Sequence, residues 1–178
     1  MIKEAFIDFF RKQSLKRHSS SNQTEILPIS RIKSYAAIID VEDPTYETCK
    51  TAIINFFRRY EINGIIFFQD FRDIGNGDRL ITSIQTTITK KDLNWYGRPS
   101  DYKLKVLAER DPDILICLLN DPSYPMEYLI RTSGARFKIG RKQLGGDVFD
   151  VVLRDPGDKT LSQLESFNAV KDFLLKIK

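Results

Sequence analysis

Six apolar residues in a row, Ile114-Leu115-Ile116-Cys117-Leu118-Leu119, constrain this chain more than any other stretch. Asp-Pro bounds the run on one side and Asn-Asp-Pro on the other. A strand with one face in water alternates polar and apolar side chains. An unbroken run therefore predicts a strand covered on both faces, as in a parallel sheet between helices. The residues that follow agree with this reading. Residues 124–133 carry apolar side chains at 126, 129 and 130, with Pro125 in the first turn and Arg131 in the last, which predicts a short helix closed by Gly134. Residues 135–139 alternate weakly and 148–153 are apolar, so each predicts a strand. Strand, helix, strand is the unit whose strands run parallel through a right-handed crossover.

The same pattern stands upstream. Residues 34–41 predict a strand with Asp40 near its C-terminal end. Pro44 opens a helix to about residue 60, with Ala52, Ile53, Phe56 and Phe57 on its buried face and Asn63-Gly64 as its stop. Residues 65–68 predict a second buried strand, 81–89 a third, 100–110 a short helix and 161–177 a final helix. The fold expected is a three-layer Rossmann-like (doubly wound) α/β domain with a mostly parallel sheet over 34–178, preceded in 1–33 by a basic amphipathic helix and a polar linker.

Charge is distributed unevenly. Residues 1–33 hold seven Lys/Arg against three acids, which is the whole net charge of +4; the other 21 basic residues are matched by 21 acids. A domain with a neutral surface is a poor nucleic-acid binder, so nucleic acid is not an expected partner. In residues 2–17 the stripe of Phe6, Phe9 and Phe10 is set among Lys3, Arg11, Lys12, Lys16 and Arg17. Such a helix suits docking on its own domain, on a second copy in a homo-oligomer, on a protein partner, or peripherally on an anionic membrane. Cys49 and Cys117 occupy apolar positions and read as reduced core residues. No stretch has the length of a membrane-spanning helix, and the block AFIDFF is short and broken by Asp8, a poor signal peptide; cytoplasmic residence is expected.

In an open parallel sheet, ligands bind beyond the carboxyl ends of the strands, where strand order reverses. The predicted strands place Asp40, Glu42, Asp43, Asp70, Asn120, Asp121, Ser123, Gly140, Arg141 and Lys142 there. The acids Asp40, Asp43, Asp70 and Asp121 are of the type that holds Mg²⁺, although acids at strand ends also serve as turn and cap residues. Arg141 and Lys142, beside Gly140, Gly145 and Gly146, are of the type that binds a phosphate or sugar nucleotide. The expected ligand-binding residues are Asn120, Asp121, Arg141 and Lys142, with Trp95 on the loop 90–99; no metal, cofactor or catalytic residue is expected. Gly75-Asn76-Gly77-Asp78 matches neither a P-loop nor a dinucleotide fingerprint and reads as a surface turn. The single histidine, His18, lies in the linker, which excludes a Ser-His-Asp or Cys-His arrangement inside the domain. The expectation is a non-catalytic interaction or small-ligand-binding protein. The alternative is an enzyme acting on a phosphorylated or sugar-nucleotide substrate.

The segments KKDLNWYGRP (90–99), DILICLLND (113–121), YPMEYLIRTSGARFKIGR (124–141) and FDVVL (149–153), behind a basic helix, together resemble a family of small bacterial proteins of unknown function. That resemblance covers most of the chain and implies no activity. More distantly, the chain is similar to the N-terminal domain of heptosyltransferase-type glycosyltransferases. There, a strand ending in an acid or amide, a small-residue helix and an Ala-basic-x-basic-(Ile or Val)-Gly segment occur in the same order. Here Val41-Glu42-Asp43-Pro44 stands in place of the early Gly-Asp loop, and a second Rossmann-like domain is not expected. The likeness thus implies kinship of fold rather than transferase activity.

Overall fold

The computed structural model describes residues 2–21, 23–73 and 81–178. Helix α1 (Ile2–His18) precedes β1 (Ser34–Asp40), α2 (Tyr46–Arg59) and β2 (Asn63–Asp70). After them come β3 (Thr87–Thr89), α3 (Asp101–Arg110), β4 (Ile114–Cys117), α4 (Tyr124–Thr132), β5 (Phe137–Gly140), β6 (Val151–Val152) and α5 (Gln163–Lys176). The strands form one sheet in the order β3-β2-β1-β4-β5-β6, and every neighbouring pair is parallel. The apolar run thus lies mid-sheet as β4, paired with β1 on one side and β5 on the other. The order turns back between β1 and β4, the doubly wound arrangement.

Side-chain alternation along each strand feeds two cores. Ala37, Ile39, Ile114 and Ile116 face α2 and α5, where Ile53, Phe57, Phe167 and Val170 complete one cluster. Ala36, Ile38, Leu115 and Cys117 face α3 and α4, where Leu107, Met126, Leu129 and Ile130 complete the other. Fully burying an aromatic such as Phe57 contributes roughly 1.5–3 kcal/mol, so β1 and β4 are held from both faces. Helix α1 lies outside this sandwich, against α4. Arg11 Nε donates to the Tyr96 carbonyl at 2.8 Å while its guanidinium sits 5.0 Å over the Tyr124 ring, and Ser20 N donates to the Arg131 carbonyl at 2.7 Å.

Three local expectations are corrected. Strand β3 is three residues long rather than the nine of 81–89. The buried Lys103 of α3 donates Nζ to the carbonyls of Ile84 and Thr87, the latter at 2.6 Å, and Thr86 N and Thr87 N both return to the Ser83 carbonyl. Backbone groups engaged in that turn are unavailable to a ladder. Asn63-Gly64 does not stop α2: Glu61 N bonds the Arg58 carbonyl, Ile62 N the Phe57 carbonyl, and Glu61 takes the left-handed position at φ 57°. Gly64 instead sits in β2 opposite Tyr35, whose ring covers it; a Cβ there would lie 2.2 Å from Tyr35 Cδ1. Likewise Gly134 does not close α4 in a left-handed turn, because Ser133 is already extended at φ −61°, ψ 130°. The predicted turn at Gly75-Asn76-Gly77-Asp78 lies outside the described residues.

Candidate functional site

The carboxyl ends of β1, β2, β4 and β5 surround a cleft of about 310 Å³ at the point where strand order reverses. Each parallel strand must leave the sheet there, so its last residues and the loop after it become the walls. Strand β1 contributes Asp40 and the turn residues Glu42 and Asp43, and β2 contributes Gln69. The chain beyond β4 contributes Leu118, Leu119, Asn120 and Asp121, and Arg141 follows β5. Of the five residues the sequence singles out as ligand-binding, Asn120, Asp121 and Arg141 meet in this cleft. Lys142 and Trp95 do not line it.

The side chains are tied to one another in ways that decide what the cleft can bind. The Arg141 side chain is only 4% exposed, donates Nη2 to Asp155 at 2.9 Å and points Nη1 at the Leu118 carbonyl at 3.5 Å. Its charge is spent on Asp155, so it acts as a wall more than as an anion receptor. Lys142 reaches over the rim to Asp121 at 2.8 Å, an exposed pair. Gln69 Nε2 donates to Asp40 Oδ2 at 2.8 Å and its Oε1 accepts from Ser123 Oγ at 3.3 Å. Asn120 forms no side-chain hydrogen bond among the described residues, which leaves its amide available to a ligand.

Two of the helix N-termini at this end of the sheet, those of α2 and α5, are already filled, whereas Ser123 at the start of α4 makes no side-chain capping bond. Asp43 Oδ1 accepts from Thr45 N at 2.8 Å and Thr45 Oγ1 at 2.6 Å, at the start of α2, and Oδ2 accepts from Gln163 N at 3.1 Å, at the start of α5. One carboxylate thus occupies the positive ends of two helices, where a phosphate would otherwise lie. Among the lining residues, four acids face a single base, but Asp43 caps two helices, Asp121 is paired with Lys142, and Asp40 accepts from Gln69 Nε2 and, at 2.9 Å, from Glu42 N. Glu42 is left as the acid whose carboxylate has no hydrogen bond or ion pair among the described residues, and it biases the cleft toward cations and hydroxyl donors.

The four acids considered as Mg²⁺ ligands do not assemble. Asp70 is buried apart from the cleft, in a two-pronged pair with Arg72 (Nε to Oδ1 2.8 Å, Nη2 to Oδ2 2.7 Å), and hydrogen bonding to that guanidinium holds its carboxyl below the usual range. Among the described residues, no three His, Cys, Asp or Glu side chains gather as a metal would require. Burial pushes the thiols of Cys49 and Cys117 each up to about 12.

Gln163 is a site residue that sequence reasoning missed. Its side chain, in a residue 2% exposed, clamps the backbone of Asp40: Oε1 accepts from Asp40 N at 2.7 Å and Nε2 donates to Asp40 O at 2.8 Å. A signal was present. Ser162 and Glu165 form a reciprocal capping box, which puts the start of α5, and Gln163 with it, beside the strand ends. Lys159 and the Ser162 amide lower the Glu165 carboxyl to about 2.

Trp95 belongs to a different surface. Its ring lies 5.2 Å from that of Phe10 and 6.1 Å from that of Phe6, so the loop 90–99 is the seat of α1 rather than a wall of the cleft. A family model described as a family of unknown function (DUF6913) matches residues 3–170, from the first turn of α1 into α5. The chain belongs to this family. The match takes in the cleft walls and the α1 seat together. No curated protein and no solved structure matches the chain. No helix among the described residues is long and apolar enough to cross a membrane.

Proposed function

We propose that this is a non-catalytic binding protein that takes a small, uncharged or cationic molecule bearing hydroxyl or amine groups in the cleft between β1 and β4. One observation carries the reading. A switch-point cleft of about 310 Å³ is lined by four acids, of which the Glu42 carboxylate has no hydrogen bond or ion pair among the described residues, and by an unengaged Asn120 amide, while its one guanidinium is already held by Asp155. Glu42 and, on releasing Lys142, Asp121 would accept from the ligand, Asn120 would both donate and accept, and Arg141 would shape the floor. Histidine and thiol chemistry lie outside the cleft: His18 is bound to the Ser14 carbonyl on α1, and both thiols are held protonated by burial. The alternative, a glycosyltransferase-like enzyme on a phosphorylated or sugar-nucleotide substrate, would have to seat its phosphate at the uncapped start of α4, because Asp43 fills the starts of α2 and α5.

A thermal-shift panel tests this. Polyols, aminosugars and polyamines form one arm, and sugar phosphates and nucleotide sugars the other. A ligand at about 100 times its Kd stabilises by about 2.7 kcal/mol, which for a chain of this size raises Tm by roughly 5–10 °C. Shifts in the first arm, lost in Asn120→Ala and Asp121→Ala, are expected. Shifts confined to the phosphorylated arm would overturn the proposal in favour of the enzyme.

A further inference from the structure

Helix α1 is fixed to the body by one side and leaves the other open. Arg11 and Phe10 engage Tyr96, Tyr124 and Trp95, and Ser14 is buried. On the open side Phe6 is 56% exposed and Phe9 59%, and beside them Trp95 is 61% exposed. The rings are continuous: Phe6 lies 4.7 Å from Phe10, and Phe9 lies 5.7 Å from it. Three large aromatic side chains exposed in one patch are uncommon on a soluble surface and mark a place of contact.

Charge decides between the possible occupants. At about 100° per residue, the half of the helix surface that runs from Lys12 through Lys16, Phe9, Phe6 and Arg17 to Lys3 contains four cations and no acid. Glu4 and Asp8 fall on the other half, where Asp8 lies 3.6 Å from Arg11. Lys12, Lys16 and Arg17 are exposed and form no ion pair among the described residues. A second copy of this face would set four cations against four with no acid to offset them, which disfavours self-association. An anionic bilayer offers the complement: apolar depth for the rings at the headgroup level and negative charge for the lysines around them.

We infer that the Phe6/Phe9/Trp95 face, ringed by Lys3, Lys12, Lys16 and Arg17, docks the protein peripherally on an anionic lipid surface. Helix α1 lies in the plane of the interface and does not enter the bilayer as a span. The body stays in water, and the inference stands independently of what the cleft binds.

The test is vesicle co-sedimentation of the full chain, comparing pure phosphatidylcholine with phosphatidylcholine carrying about 30% phosphatidylglycerol. Binding is expected on the anionic vesicles, at least tenfold weaker on the neutral ones, and suppressed by about 0.5 M salt. Each cation removed should weaken partitioning about fivefold, so Lys12→Gln with Lys16→Gln should lose roughly 25-fold. Phe9→Ser, at a side chain 59% exposed, should lose about fivefold or more, and Phe6→Ser with Phe9→Ser about tenfold or more, with the protein still folded by far-ultraviolet circular dichroism. Failure to sediment with anionic vesicles, or equal binding to neutral ones, would overturn the inference. So would a dimer by light scattering that Phe6→Ser/Phe9→Ser turns into a monomer, because the face would then belong to a second copy.

Discussion

Replacing Gln163 with Ala should separate α5 from the end of β1 without touching the hydrophobic core. The Gln163 side chain is buried and makes two hydrogen bonds to a single residue, accepting from Asp40 N at 2.7 Å and donating to Asp40 O at 2.8 Å. Truncation leaves the Asp40 N–H without its partner at the rim of the sheet, while the Asp40 carbonyl loses one of two donors and keeps the turn bond from Asp43 N at 3.3 Å. An unsatisfied buried group costs about 1–3 kcal/mol, and the half-buried position of Asp40 lets water recover part of that, so the loss should be about 1–3 kcal/mol. In a domain whose total stability is on the order of 5–15 kcal/mol, that lowers Tm by roughly 3–10 °C in a calorimetric scan. Gln163→Glu sharpens the test. A carboxylate keeps the acceptor for Asp40 N but turns its second oxygen toward the Asp40 carbonyl, near the carboxylates of Asp40 and Asp43. The protonated form restores the donor, so folding raises the new group's pKa. Its stabilising form is then fully present below the unfolded value of about 4.3 and lost as pH rises through the folded value. Gln163→Glu should therefore approach the parent near pH 4 and fall furthest below it at neutral pH. A Tm for Gln163→Ala within about 1 °C of the parent would refute the clamp.

Arg72→Gln tests the buried Asp70 pair. Because Arg72 lowers the folded pKa of Asp70, its stabilisation is present above the unfolded value of about 3.9 and is lost as pH falls through the folded one. The Tm gap between parent and variant should thus be full at neutral pH and close in acid; a gap independent of pH would refute the pairing. Gly64→Ala should displace the Tyr35 ring from its stack on Phe57, where the centroids lie 4.1 Å apart, and cost about 1–3 kcal/mol in urea unfolding. Neutral behaviour would show that the ring moves freely. Native protein should resist iodoacetamide at Cys49 and Cys117, with labelling only on unfolding, as followed by mass spectrometry. Rapid labelling of either thiol at neutral pH would contradict its burial.

The class of the fold and the middle of its sheet are legible in local apolar patterns. An unbroken apolar run has to be covered on both faces wherever it goes, and Ile114–Cys117 is accordingly a central strand. The same holds for β1 and for the helical periodicity of α2 and α5, because burial patterns with periods of two or 3.6 residues are written into neighbouring positions. From those strands it also followed that Asn120, Asp121 and Arg141 would meet at one end of the sheet. What tertiary structure alone decided depends on partners far away in the chain. Lys103 took the carbonyls of Ile84 and Thr87 and shortened β3, Tyr35 made Gly64 a strand residue instead of a helix stop, and Asp155 neutralised Arg141. Phe10 drew Trp95 out of reach of the cleft, and Gln163 arrived at β1 from more than a hundred residues downstream. Apolar periodicity acts on each segment regardless of its neighbours, whereas a hydrogen bond, an ion pair or a ring contact exists only once the fold has brought both halves within a few ångströms.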